Sequence, residues 1–205
     1  MSISYPVTFP SIGIRSMTIR ARSVVGVAQS PFTLSQQVYK HQGQAWEAEV
    51  SLPPMKRDDA EQVASFLLKM NGQYGTFLLG DPANTAPRGV GTGTPLVNGG
   101  SQTGDSLVTD GWTTSTTGIL KAGDWIQLGS GSATRLHKVL DDVNSDGSGN
   151  ATLTIWPSLR SSPSDNASIT VLSPKGQWRL ASNEMQYSID EASIYGITFA
   201  CVEAL

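Results

Sequence analysis

The sequence predicts a mainly β protein with a single α-helix. Charged residues make up only 15% of its 205 positions, while Gly (21) and Pro (11) are plentiful, as in turn-rich β proteins. Several stretches alternate apolar and polar residues with period two, and one segment alone carries a helical stripe.

That segment lies in the stretch that organises the chain, Trp46 to Pro82. Trp46, Ala48, Val50 and Leu52 alternate with Glu47, Glu49 and Ser51, the pattern of a strand with one buried face. Pro53 and Pro54 stop it, since neither can donate to a sheet ladder. In the helix that follows, Asp58, Asp59 and Glu61 occupy the first turn, where the macrodipole favours negative charge. Ala60, Val63, Leu67 and Met70, widened by Ala64 and Phe66, form the apolar stripe. Lys69 sits in the last turn and Asn71-Gly72 supplies a left-handed stop. Tyr74 to Leu79 resumes as an aromatic strand.

Before this stretch, Met1 to Ile14 reads as an extended arm punctuated by Pro6, Pro10 and Gly13. Met17 to Val27 alternates, and Ser30 to Lys40 is a further strand. His41 to Gln44 is expected to turn that strand back into the Trp46 strand as a long hairpin. After Asp81-Pro82 the composition changes. Residues 83–118, rich in Gly, Thr, Ser and Asn, read as a linker or loosely paired strands. Strands are expected again within Ile119–Leu128, Thr134–Leu140, Ala151–Trp156 and Ala167–Leu172, spaced as in a small all-β barrel or sandwich. Trp178–Leu180, Met185–Ile189 and Ile194–Val202 return to alternation. The expected division is a discontinuous core, 1–82 with 175–205, and an inserted β domain, 83–174. Its two ends should then leave and re-enter the core side by side, so that a short bridge from Pro82 to Gly176 leaves the core folded.

Net charge is −3, which leaves no basic footprint for sequence-specific nucleic acid. No apolar run reaches membrane-span length, the start of the chain lacks the order of a signal peptide, and Cys201 has no second cysteine to pair with. The expectation is a soluble protein made in a cytosol, with no membrane partner.

Four groupings imitate chemistry. Asp142-Val-Asn144-Ser-Asp146-Gly147 matches the first half of an EF-hand loop, but Leu153 stands where the bidentate Glu belongs, so a solvated turn is expected. His137 reads as a strand histidine and Cys201 as a small core residue. Gly89, Gly91 and Gly93 lack the lysine of a phosphate loop. No acid, base and nucleophile assemble, so no enzymatic activity, no metal and no cofactor are expected. Trp112, Trp125 and Trp156 could stack on sugar rings if exposed. For Trp125 and Trp156 the preferred reading is the core of the inserted domain, which leaves Trp112 as the candidate surface-binding aromatic.

The order of hairpin, helix, aromatic strand and late strand pair resembles the distal tail proteins of siphophages, the lambda-type minor tail protein family. The resemblance rests on SPFTLSQQVYKHQGQAWEAEVSLPP, the helix DDAEQVASFLLKMNG, the strand QYGTFLLGDP, and the final strands Glu184–Ile189 and Tyr195–Glu203. It covers residues 1–82 and 175–205, and the segment between departs from the family pattern. What the resemblance implies is a tail-tube-like β-sandwich with one flanking helix. It implies a structural virion protein at the phage tail tip, assembled in the bacterial host cytoplasm. Such proteins form a hexameric ring that joins the tail tube protein to baseplate hub or tip proteins. The alternative, resting on the three tryptophans of the inserted domain, is a carbohydrate- or cell-surface-binding β module. The hairpin from Ser30 to Leu52 carries Phe32, Leu34, Val38, Tyr39 and Trp46, more apolar surface than one helix can cover. Gln36, Gln37, Tyr39 and Trp46 are the candidate subunit-interface residues.

Overall fold

In the computed structural model, which describes residues 3–190 and 194–205, the chain is mainly β with one helix and two sheets. The first sheet begins with β1 (Val7–Thr8), β2 (Ser16–Gln29), β3 (Gln36–Ser51) and, beyond the helix, β4 (Phe77–Leu79). The second sheet takes all its strands from the middle of the chain. They are β5 (Gly93–Val97), β6 (Gly104–Trp112), β7 (Trp125–Leu128), β8 (Arg135–Val139), β9 (Ala151–Leu159) and β10 (Ile169–Thr170). The chain then returns to the first sheet with β11 (Gly176–Leu180), β12 (Tyr187–Ile189) and β13 (Tyr195–Glu203).

The first sheet runs β1-β4-β11-β13-β3-β2, with β12 pairing off this path onto β13. Helix α1 (Arg57–Lys69) covers one face and buries Ala60, Val63, Ala64, Phe66 and Leu67, the stripe read from the sequence. Val50, Phe77, Trp178 and Ile197 meet that stripe in a single core. Each such apolar side chain contributes about 1.5–3 kcal/mol relative to exposure. Asn71 and Gly72, both at positive φ, end the helix as expected. The arm before β2 is more engaged than its prolines suggested. β1 pairs in parallel with β4, Phe9 packs edge-on to Phe66, and the Tyr5 hydroxyl donates to the Lys69 carbonyl at the helix C-terminus.

The hairpin turn lies elsewhere than predicted. β3 runs unbroken through His41–Gln44, and the chain reverses at Ser30–Ser35. Between the pairs Ser23–Gln44 and Val25–Lys40, Val24 alone faces His41, Gln42 and Gly43, an irregularity whose Gly43 imitates a turn. At the true turn the Ser30 hydroxyl accepts from the amides of Phe32 and Thr33, the local bonding that makes Ser a turn residue.

The second sheet runs β10-β7-β8-β9-β6-β5 and nearly closes. Val97 donates to the Ala167 carbonyl, and Leu96 bridges Ser168, joining β5 to β10. Leu107, Ile119, Leu120, Ile126, Leu153 and Ile155 fill its interior. The stretch 83–118 is therefore not a linker, because it supplies β5 and β6 with their buried Val97, Leu107 and Trp112.

Trp125 and Trp156 do not fill this interior either. Opposed residues of antiparallel strands share a face, and faces alternate along each strand. The pairs Trp125–Lys138 and Lys138–Trp156 point outward, toward the first sheet, while Ile126–His137 and Val139–Ile155 point inward. Trp46 packs edge-on against Trp125 at 4.8 Å and Trp156 at 4.3 Å between ring centres, and its indole N–H donates to the Leu136 carbonyl. Trp125 in turn donates to the Asp81 carboxylate. The two sheets thus share a tryptophan seam. The strand that leaves the first sheet and the one that returns lie side by side, with Leu79 paired to Gly176. Gly80 is required there, since a Cβ would collide with the Pro174 carbonyl.

Candidate interaction surface

The surface is built from the β2–β3 hairpin. Its inner half lies in the first sheet: Met17, Ile19, Trp46, Ala48 and Val50 face the core, and Arg20 and Arg22 pair with Glu49 and Glu47 on the outside. Those ion pairs are exposed and contribute little. Beyond Ser23 and Gln44 the ladder continues away from the core, and its side chains there are almost all exposed.

The register sorts them into two faces. Val27 opposes Val38, Val25 opposes Lys40 and Gln29 opposes Gln36, so one face presents three valines. By alternation from Met17, Ile19 and Ala21, this is the continuation of the core-facing side. The other face carries Tyr39 opposite Gly26 and Gln37 opposite Ala28. At the tip Phe32 is 94% exposed, and Leu34 is exposed at positive φ. β-branched residues suit the ladder, but nothing among the described residues covers them. β2 is also the last strand of its sheet, so its outer edge offers unpaired backbone groups.

The base of the hairpin is clamped. Glu203, 7% exposed, receives both Nη1 and Nη2 of Arg160 and also the amide of Trp46. Gln44 accepts from the Ser158 amide with its side chain and from Arg160 with its carbonyl. Lys40 reaches Asp105 at 3.9 Å.

Of the predicted interface residues, the structure brings Gln37 and Tyr39 together on one face and places Gln36 on the other, with Val38. Trp46 is a correction: at 5% exposure it belongs to the seam and is closed to a neighbouring subunit. Trp112 is a second correction, since it is 3% exposed and its N–H is spent on the Thr109 hydroxyl, so it offers no face to a sugar. Val24, Val25 and Val27 were missed as surface residues, although the strand pattern read from Met17 was carried as far as Val27.

The imitation sites resolve into structure. Asp142 accepts from the Ala122 amide, Asn144 from that of Gly118, and Asp146 from those of Ser148 and Asn150. The Asn150 amide, foremost, holds the Asp146 carboxyl below its ordinary range. These oxygens staple loops together, and no group of three or more His, Cys, Asp or Glu residues converges as a metal site among the described residues. Burial pushes the Cys201 thiol up to about 12, which leaves it protonated and unreactive. His137 is buried, and desolvation lowers it to about 4. Among the described residues no helix is long and apolar enough to cross a membrane. Neither a protein-family model nor a curated protein matches this chain.

Proposed function

We propose that the chain is a structural subunit of a ring at the distal end of a phage tail, joining the tail tube to the baseplate hub or tip. The observation that supports this reading is the projecting hairpin. Its outer half is a long, regular ladder with apolar side chains and no covering surface in its own chain. Contiguous exposed apolar surface of this kind marks an interaction site, and a free strand edge adds a second means of attachment. The two faces differ, valines on one and Tyr39 with Gln37 on the other. Unlike faces suit a head-to-tail contact between copies, the arrangement that closes rings. The clamp of Glu203 and Arg160 gives the hairpin a rigid base from which to reach a neighbour.

The alternative reading, a sugar-binding module that stacks rings on Trp112, loses support because that indole is buried. The deciding experiment is electron microscopy of tail tips assembled with the wild-type chain and with a Val27→Lys, Val38→Lys double variant. A ring with the wild type, and its loss with a variant that still folds, is the expected result. A single copy per tip, or a double variant that assembles normally, would overturn the reading.

A further inference from the structure

The mouth of the second sheet holds an independent feature. Where β7 turns into β8 and β9 leads toward β10, a cavity of about 220 Å³ opens. Leu128, Leu159, Pro163 and Ala167 form apolar walls, and Arg135 and His137 of β8, with Arg160, Ser161, Ser162 and Ser164 after β9, line it as polar groups. Mouths of small β-barrels are a common place for ligand pockets. Alternation explains the polar lining from β8, because Arg135 and His137 are on the inward-facing side of that strand, with Val139 below them in the filled interior.

His137 is 3% exposed, and its Nδ1 lies 2.7 Å from the Pro157 carbonyl. A carbonyl oxygen only accepts, so Nδ1 carries the proton and Nε2 holds a lone pair. Among the described residues Nε2 has no hydrogen-bond partner in the chain, and the one side-chain atom wholly shut from solvent without a partner is Thr134 Oγ1, so Nε2 is an acceptor that solvent can reach. Arg160 is already committed to Glu203 and Gln44, and Arg135 spends Nη1 on the Ser132 and Thr134 carbonyls and on Gln177. The acceptor that the cavity leaves available is therefore Nε2.

We propose that this cavity binds an uncharged polyol no larger than one sugar ring, with one hydroxyl donating to Nε2 of His137. The carbon skeleton of such a molecule packs against Leu128, Leu159 and Pro163, and a second hydroxyl accepts from the free edge of the Arg135 guanidinium. A carboxylate or phosphate ligand is disfavoured, since it would set its lone pairs against that of Nε2. The imidazole stays neutral at pH 7, because burial lowers its pKa to about 4. The inference does not depend on the tail-ring reading.

The test uses the full, isotope-labelled chain. Amide and imidazole resonances are followed while glucose, galactose, N-acetylglucosamine or glycerol is added, with acetate as the anionic comparison. The expected result is a saturable, millimolar response to at least one polyol, as befits a ligand of about a dozen heavy atoms. It should be confined to Gly129, Ala133, His137 and Ala167 and include the His137 Nε2 resonance. Ala133→Leu fills the rim from an exposed position, so the variant folds, and it should weaken binding by at least about tenfold, one hydrogen bond's worth of affinity. Failure of every polyol to move these resonances would overturn the proposal. So would a response unchanged in Ala133→Leu, a stronger response to acetate, or an Nε2 that carries the proton.

Discussion

Replacing Trp46 with Ala tests whether the two sheets melt as one unit. Trp46 is 5% exposed, touches Trp125 and Trp156, and donates to the Leu136 carbonyl. Truncating a buried Trp costs about 3–5 kcal/mol. Leaving the Leu136 carbonyl without its donor adds about 1 kcal/mol. The sum, about 5 kcal/mol, is comparable with the whole stability of many domains. Trp46→Phe keeps much of the packing and loses the hydrogen bond, so it should fall about 1–2 kcal/mol below the wild type. Urea melts followed by circular dichroism give the totals. Amide exchange at Val50 in the first sheet and Leu153 in the second reports each sheet separately. Both should lose protection together in Trp46→Ala. A loss below about 1 kcal/mol, the range of ordinary surface substitutions, would refute the reasoning. Loss of protection at Val50 with Leu153 unchanged would refute it as well.

The same seam bears on excision. A chain in which a short Gly-Ser bridge joins Pro82 to Gly176 loses Trp125 and Trp156 from Trp46, and Arg160 from the buried Glu203. Uncovering a Trp costs about 4–6 kcal/mol at the usual area coefficient, comparable with the whole stability of many domains. The shortened chain should therefore lack a cooperative melt, contrary to the expectation from loop closure alone, and a midpoint equal to the full chain's would refute this. pH is the third lever. His137 titrates near 4 when folded and near 6.5 when unfolded, so its contribution is complete above about 6.5 and is lost as pH falls toward 4. That loss is on the order of 3 kcal/mol, and His137→Gln should flatten the pH dependence of the urea midpoint over this window.

How far the fold was legible follows from what each signal encodes. The helix was plain because Ala60, Val63, Phe66 and Leu67 repeat at helical spacing and Asn71-Gly72 marks the stop. The hairpin turn was misplaced because Gly43 sits in an irregular stretch of strand, whereas Ser30-Pro31 carries the true reversal within an apolar run. Residues 83–118 looked like a linker because their strands bury few, widely spaced side chains such as Val97, Leu107 and Trp112. Alternation told that Trp125 and Trp156 share one side of their strands, but not that the other sheet covers that side. His137 was legible as a strand histidine. Its unpartnered nitrogen was not, because the Pro157 carbonyl that fixes the tautomer is twenty residues away.

The strand order of the first sheet also constrains how it can assemble. β11 and β13 sit between β4 and β3, so until they arrive the sheet exists only as two fragments, β1 with β4 and β3 with β2. The first fragment cannot be joined to the second before the whole intervening segment has been traversed. The second sheet is drawn entirely from the segment between β4 and β11 and can close first, which brings Leu79 and Gly176 together and removes most of the loop that β11 would otherwise have to search. Pairings as distant as Val50 with Phe199 and Ala48 with Cys201 place the molecule among slow, topology-limited folders. During that interval the apolar stripe of α1 waits for its partner strand, and the order of events is set by the path of the chain, not by the strength of any one contact.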